Sequence, residues 1–267
     1  MSSDLHTGRR YLTEQQYATD RNLAARQSIY AFQVPSIDVA GRSLDLAGMR
    51  GGEQVLDVGC GNGGYLGSLR ARGHRGLTCG ADLSVGMLHS ARPATDGPLL
   101  VSDAQALPFA DDSFDVALAM HMLYHVPDRA SAISELRRVL RPGGVALVVT
   151  NYAAHLEELD RLIAACAIAV GIAELPARGS VAFEMDSGAA ELEAAFASVT
   201  ARPFIGKLVV PEVEPVMSYV RSMGAWVRGT QPELGALTEE LERRVRETIA
   251  TEGAFRMRTA AGCFVCR

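Results

Sequence analysis

Lysine is almost absent from this chain: Lys207 stands alone, and arginine supplies the rest of the 26 basic side chains. With alanine also abundant, that bias reads as base composition of the genome and not as a binding surface. The arginines come singly or in pairs (Arg9-Arg10, Arg137-Arg138, Arg243-Arg244), and the net charge is −5. A protein that tracks phosphates needs a continuous basic stripe, so nucleic acid is not an expected partner. No apolar run approaches the roughly 18 residues of a membrane-spanning helix, which excludes a membrane partner from the expectation. The opening stretch, MSSDLHTGRRYLTEQQ, lacks the apolar centre of a secretory signal; the expectation is a soluble, cytoplasmic protein. Cysteine is scarce and odd in number, five in all, which argues against a disulfide framework. Cys263 and Cys266 form a lone CxxC. On a strand that spacing sends the two side chains to opposite faces, so they read as core, and no metal site is expected.

What is present is apolar substance. At 267 residues and 48% hydrophobic content, the chain fits one large domain, or a domain with a lid, and not a disordered polymer. Residues 4–48 carry apolar and aromatic positions at helical spacing, interrupted by Pro35. From residue 53 short apolar runs alternate with amphipathic helices. QVLDVG, LTCGAD, PLLVSD, SFDVALAM and VALVVT read as strands. GGYLGSLRARG, SVGMLHSAR (capped by Ser84) and DRASAISELRRVL (capped by Asp128, closed by Pro142-Gly143-Gly144) read as helices. That alternation predicts a parallel sheet with helices on both faces. After Thr150 helices are expected over 153–175 and 188–198, then a strand near 199–205, inserted helices over about 212–252, and a closing strand in MRTAAGCFVCR. Met223 and Trp226, inside that insertion, read as core.

The chemistry concentrates at VLDVGCGNGG, residues 55–64. Glycines after a strand let main-chain N–H groups approach a ligand with no Cβ in the way. That serves a nicotinamide dinucleotide or S-adenosylmethionine equally well. Three details separate the two. The spacing Gly59-x-Gly61-x-Gly63-Gly64 departs from the G-x-G-x-x-G of dinucleotide sites. Asp57, at the strand end, would repel a pyrophosphate but attract an ammonium. A further acid, Asp103, ends the third strand, where a dinucleotide site requires none.

VLDVGCGNG resembles the first motif of class I S-adenosylmethionine-dependent methyltransferases, and GADLSVGML their second-strand motif. VSDAQALPFADDSFDVALAMHMLYHVPD is similar to their adenine-binding stretch and fourth strand, and LRRVLRPGGVALV to the following helix and fifth strand. The resemblance covers about residues 50–150 and is nearest to ubiquinone/menaquinone-biosynthesis and natural-product methyltransferases. It implies a Rossmann-like α/β sheet, mostly parallel with an antiparallel last strand, under N-terminal and inserted cap helices. The organisation it implies is a helical cap over 1–48 and a cofactor-binding domain over 49–267, with the helical insertion at about 212–252.

The resemblance also implies roles for particular residues. Gly59, Cys60, Gly61 and Asn62 would bring main chain and side chain around the methionine part of S-adenosylmethionine, with Asp57 near its ammonium. Asp82 would accept both ribose hydroxyls, as acidic residues do at ribose sites generally. Leu83 and Met87 would pack on the adenine, with Asp103, Ala104 and Gln105 around its exocyclic amine. His121 would lie beside the methionine moiety through its backbone. Tyr17 and Arg26, on the N-terminal helices, would reach the methionine carboxylate.

For the acceptor, Tyr124 and Asn151 are the candidate contacts and His125 the candidate general base. A base is needed only when the acceptor must lose a proton, since proximity and excluded water supply much of a methyl transfer. Two adjacent histidines are the family's commonest form where this chain has Tyr124-His125. The expected activity is methyl transfer to a small molecule at O, N or C, within secondary metabolism, by a monomer or homodimer. The alternative is a protein of this fold that binds S-adenosylmethionine but catalyses a cyclisation or elimination, or serves regulation.

Overall fold

The structure is a computed structural model that describes residues 7–172, 179–223 and 231–267. The portions of the sequence expectations falling on 4–6, 173–175 and 224–230, Trp226 among them, lie outside the described residues.

One sheet organises the chain. Its strands are β1 (Gln33–Val34), β2 (Val55–Val58), β3 (Thr78–Asp82), β4 (Leu99–Val101), β5 (Phe114–Met120), β6 (Leu140–Asn151), β7 (Val199–Val210) and β8 (Phe255–Cys266), in the spatial order β1-β7-β8-β6-β5-β2-β3-β4. Strands β2 to β6 run parallel. The last strand, β8, lies antiparallel between β6 and β7, as expected for this sheet type. The chain leaves β2 toward β3 and β4 on one side, then returns to place β5 on the other. This reversal opens a crevice beyond the carboxyl end of β2, where ligands bind in open α/β sheets.

Alternation along the strands sends side chains to two separate cores. Leu56, Val58, Ala117, Val148 and Phe264 meet Ile133 and Leu136 of α5 (Arg129–Arg138) on one face. On the other, Val55, Leu118, Leu147 and Val265 meet Leu44 of α2 (Val39–Leu46) and Leu69 of α3 (Gly64–Ala71). The CxxC obeys the same rule: Cys266 belongs to the first core and Cys263 to the second, and both are free thiols. A third apolar cluster joins Ile29, the ends of β7 and β8, and α6 (Glu157–Ala169), α8 (Val213–Ser222) and α9 (Gln231–Glu252).

Helix starts follow the expected caps. Ser84 accepts from the Met87 N–H at 3.3 Å to begin α4 (Val85–Ala91), and Asp128 accepts from Ser131 N–H at 3.1 Å to begin α5. Other boundaries moved. Pro142-Gly143-Gly144 does not close a helix: α5 stops at Arg138, and the three residues form an exposed irregularity within β6, with φ of 81° at Gly143. The helix after residue 188 is short, α7 (Gly188–Glu193). The N-terminal stretch is broken into a turn of helix at Arg9–Tyr11, a π-helical turn at Leu12–Gln16, α1 (Arg21–Ser28) and a 3-10 turn at Ile29–Phe32. It then adds β1 to the sheet edge, because Ile29 is drawn into the third cluster and Pro35 cannot continue a helix. Among the described residues no helix is long and apolar enough to cross a membrane.

Candidate functional site

A cavity of about 650 Å³ runs along the carboxyl edge of the sheet, roofed by the N-terminal segment and by Tyr219 and Met223 at the end of α8. Every site residue named from the sequence lines it: the loop residues Asp57, Gly59, Cys60, Gly61 and Asn62; Asp82, Leu83 and Met87; Asp103, Ala104 and Gln105; and His121, Tyr124, His125, Asn151, Tyr17 and Arg26.

The glycine loop owes its shape to positive φ angles, 69° at Gly59 and 55° at Gly61. A Cβ on Gly59 would come within 2.8 Å of the Met122 side chain, so any larger residue would push this loop and Met122 apart. Gly61 then turns its N–H to Asp82 Oδ2 at 2.9 Å, while Ser84 N–H reaches Asp82 Oδ1 at 2.8 Å. Each oxygen of Asp82 therefore has a backbone donor. Burial pushes this carboxyl up, and the N–H donors of Ser84, Gly61 and Leu83 oppose that.

Asp57, one strand away, is different. It is buried, and neither of its oxygens has a hydrogen-bond partner. Burial, with a lesser push from Asp82, raises its pKa to about 8. A bare buried carboxylate is costly unless a cation or a proton meets it. An ammonium group fits that requirement, and a pyrophosphate does not. Asp103 lies two residues beyond the end of β4, and its Oδ1 accepts from both the backbone and side-chain nitrogens of Gln105, at 3.0 and 2.8 Å. Cys60 is buried and its thiol is pushed well up by burial and by Asp57 and Asp82, which suits a packing residue and not a nucleophile.

A second group forms where the N-terminal segment meets the loop after β5. Tyr17 Oη lies 2.9 Å from His125 Nε2, and Arg26 donates to the same oxygen at 3.1 Å. Arg26 also donates to the Ser222 carbonyl of α8 at 2.8 Å, so its guanidinium ties three elements together. Arg26, the residue expected near the methionine carboxylate, holds Tyr17 and α8 in this structure. Burial pushes the Tyr17 phenol up, with Arg26 acting against it. Tyr124 packs edge-on against His125, with ring centroids 4.6 Å apart, and burial raises its phenol well above the usual value. His121 takes a φ of 56°, gives its N–H to the Val149 carbonyl at 2.8 Å, and has its ring pushed down to about 4 by burial, so it is neutral.

Sequence reasoning missed the other half of the cavity. Tyr30, Gln33, His155 and Thr259 all line it. The Ala260 N–H donates to His155 Nδ1 at 3.0 Å, which places the imidazole proton on Nε2, from where it donates to Tyr30 Oη at 3.0 Å. Gln33 Nε2 donates to Thr259 Oγ1 at 2.8 Å. These contacts join residues more than a hundred positions apart, and no local spacing announces them. The nearest signal was the polar His155 in the turn that leads into α6.

The family model described as a methyltransferase domain matches residues 56–148. The malonyl-[acyl-carrier protein] O-methyltransferase of Serratia marcescens is 37% identical over 123 residues, 46% of this chain and 48% of that protein. The demethylmenaquinone methyltransferase of Staphylococcus aureus is 39% identical over 105 residues, 38% of this chain and 44% of that protein. The matched stretch thus spans less than half the length of these curated relatives. Among solved structures, a phosphoethanolamine N-methyltransferase of Haemonchus contortus, bound to phosphomonomethylethanolamine and S-adenosylhomocysteine, superposes with a TM-score of 0.57 at 16% identity, covering 98% of this chain and 59% of that one.

Proposed function

We propose that this chain, whose residues 56–148 match a methyltransferase-domain family model, is a class I S-adenosylmethionine-dependent methyltransferase that methylates a small organic acceptor. The observation that carries the reading is the bare, buried carboxylate of Asp57 beside a glycine loop, with Asp82 one strand further offering two accepting oxygens. When bound, S-adenosylmethionine supplies an activated sulfonium methyl for in-line displacement.

The chain's own residues do the rest. Asp57 receives the ammonium of the methionine part, and the main chain comes close at Gly59 and Gly61, where there is no Cβ. Asp82 accepts the ribose hydroxyls. Leu83 and Met87 pack on the adenine, and Asp103, Ala104 and Gln105 border its amine. Tyr17 and Arg26 close the site from the N-terminal side, which keeps water from the sulfonium. For acceptors that must lose a proton, His125, held at Nε2 by Tyr17, is the group we assign to take it. Tyr124 and Asn151 border the acceptor. We further infer that residues 1–48 and about 212–252 act as caps over a domain spanning 49–267, and that the acceptor comes from secondary metabolism.

Two measurements test this. Calorimetry with S-adenosylhomocysteine and with NAD should give submicromolar affinity for the first and none for the second; the reverse would sink the proposal. Radiolabelled S-adenosylmethionine, offered with a panel of phenols, carboxylates, amines and sugars, should label at least one. Tight S-adenosylhomocysteine binding with no labelling, but with cyclisation or elimination of an acceptor, would favour the non-methylating alternative.

A further inference from the structure

The cavity has two chemically unlike ends. Its acids, Asp57, Asp82 and Asp103, stand at or just past the ends of β2, β3 and β4. The strands on the other side of the sheet, β1, β6, β7 and β8, contribute Gln33, Asn151, Phe204, Thr259 and Ala261 to the lining, and none of these is charged. Two arginines line the cavity: Arg9, on the exposed N-terminal turn, and Arg26, which is engaged with Tyr17 and the Ser222 carbonyl.

At this uncharged end sits a built polar pair. Gln33 is 8% exposed and Thr259 2% exposed, and they meet through the 2.8 Å hydrogen bond between Nε2 and Oγ1. The pair is assembled by tertiary structure alone. Gln33 belongs to the two-residue edge strand β1, and Thr259 stands opposite Gly206 on β7. A Cβ at Gly206 would lie 3.0 Å from Thr259 Oγ1 and 3.3 Å from Gln33 Nε2, so a glycine there leaves the pair its room. With Nε2 donating to Oγ1, the amide oxygen of Gln33 remains as an acceptor and the Thr259 hydroxyl proton as a donor, side by side. Both residues line the cavity. Turning the amide over exchanges the roles and still leaves one donor and one acceptor.

We propose that Gln33 and Thr259 form an acceptor subsite for an uncharged, largely apolar molecule carrying a hydroxyl or carboxamide group. Either group both donates and accepts, and so matches the pair. A carboxylate would meet the amide oxygen of Gln33, and an amine the hydroxyl of Thr259, where the strands β1, β6, β7 and β8 offer neither a cation nor an acid; a buried charge without a partner is strongly disfavoured. Phe204 and Ile37 supply apolar wall. The proposal rests on the methyl-transfer reading, whose acceptor it describes.

The test uses the full chain saturated with S-adenosylhomocysteine and saturation-transfer NMR against a mixed set of small aromatic and aliphatic alcohols, carboxamides, carboxylates and amines. Alcohols and carboxamides should bind. Thr259→Val and Gln33→Leu should each weaken them by about five- to tenfold, the scale of one hydrogen bond. Thr259→Ser should retain them, and S-adenosylhomocysteine affinity should stay level throughout. If the wild-type chain binds no S-adenosylhomocysteine, the methyl-transfer reading falls and this proposal with it. If it binds S-adenosylhomocysteine but takes mainly carboxylates or amines, takes none of the set, or ignores both substitutions, the subsite alone is overturned.

Discussion

Asp57, next to last in β2, and Asp82, last in β3, stand on adjacent parallel strands, yet Asp82 receives backbone N–H groups on both oxygens and Asp57 receives none on either. The difference divides the labour between them. Asp82 is already organised by the fold and helps organise it, whereas Asp57 is left in want of a positive partner.

The first prediction follows from that want. Asp57 has its pKa raised from 3.8 to about 8 by burial. Between those values the folded state holds a proton that the unfolded chain has lost. The ligand-free fold is therefore favoured at low pH and loses stability as pH rises toward 8, with a slope of up to about 1.4 kcal/mol per pH unit. Asp57→Asn should abolish this decline, so its melting temperature at pH 8 should exceed that of the wild type. The same substitution should weaken S-adenosylhomocysteine binding. In the wild type, affinity should rise with pH up to about 8, since an entering ammonium displaces the proton. A thermal-shift series and calorimetry in buffers of different ionisation enthalpy would check both; a flat wild-type profile with no proton release would refute the assignment.

Asp82→Asn should cost on both counts. An amide places an NH2 against the N–H of Gly61 or of Ser84 and removes a charged acceptor from the ribose position. Cofactor binding should weaken by about 1.5–3 kcal/mol, the scale of hydrogen bonds to a charged group, and the melting temperature should fall. Unchanged affinity in calorimetry would end the ribose role.

His125→Ala should lower turnover by about a hundredfold or more if the acceptor loses a proton to it, while S-adenosylhomocysteine affinity changes little. Tyr17→Phe removes the 2.9 Å contact to Nε2 and should shift the pH–rate profile while leaving His125 in place. Superimposable profiles for wild type and both variants would remove His125 from the chemistry.

How much of this was readable in advance depended on how local each interaction is. Asp57, Asp82 and the glycine loop declare themselves because strand, turn and helix follow one another twice within 55–91, and the caps at Ser84 and Asp128 lie next to the helices they begin. The N-terminal stretch misled, because its helical spacing gave no sign that Gln33 and Val34 would leave to pair with Leu208 and Lys207. Gln33 and Thr259 are 226 positions apart, Tyr30 and His155 125. Such pairs are made by where β1 and β8 fall in the sheet. Arg26 shows the intermediate case: its presence at the site was legible, but its partner, the Ser222 carbonyl, depends on α8 packing over α1.

That packing of the N-terminal segment leads to the last prediction. Ser84 caps α4 and also donates its hydroxyl to the Tyr17 carbonyl at 2.7 Å. Beside it, Gly86 lets the backbone come so near that a Cβ there would collide with the Ala18 carbonyl oxygen. The start of α4 is thus the seat on which the segment bearing Tyr17 rests, close to Asp82 and Leu83. Gly86→Ala should force that segment away at a cost of about 1–3 kcal/mol, as overpacking does. An alanine is otherwise welcome inside a helix, so a stabilised protein would show that the seat is not where the segment docks. If it does dock there, the variant should lose both melting temperature and S-adenosylhomocysteine affinity. Ser84→Gly, which removes the hydroxyl but adds no bulk, should lose affinity in the same direction by a smaller amount. Proteolysis should then cut near residues 17–20 faster in both variants than in the wild type, and added S-adenosylhomocysteine should slow the cut by restoring the closed segment.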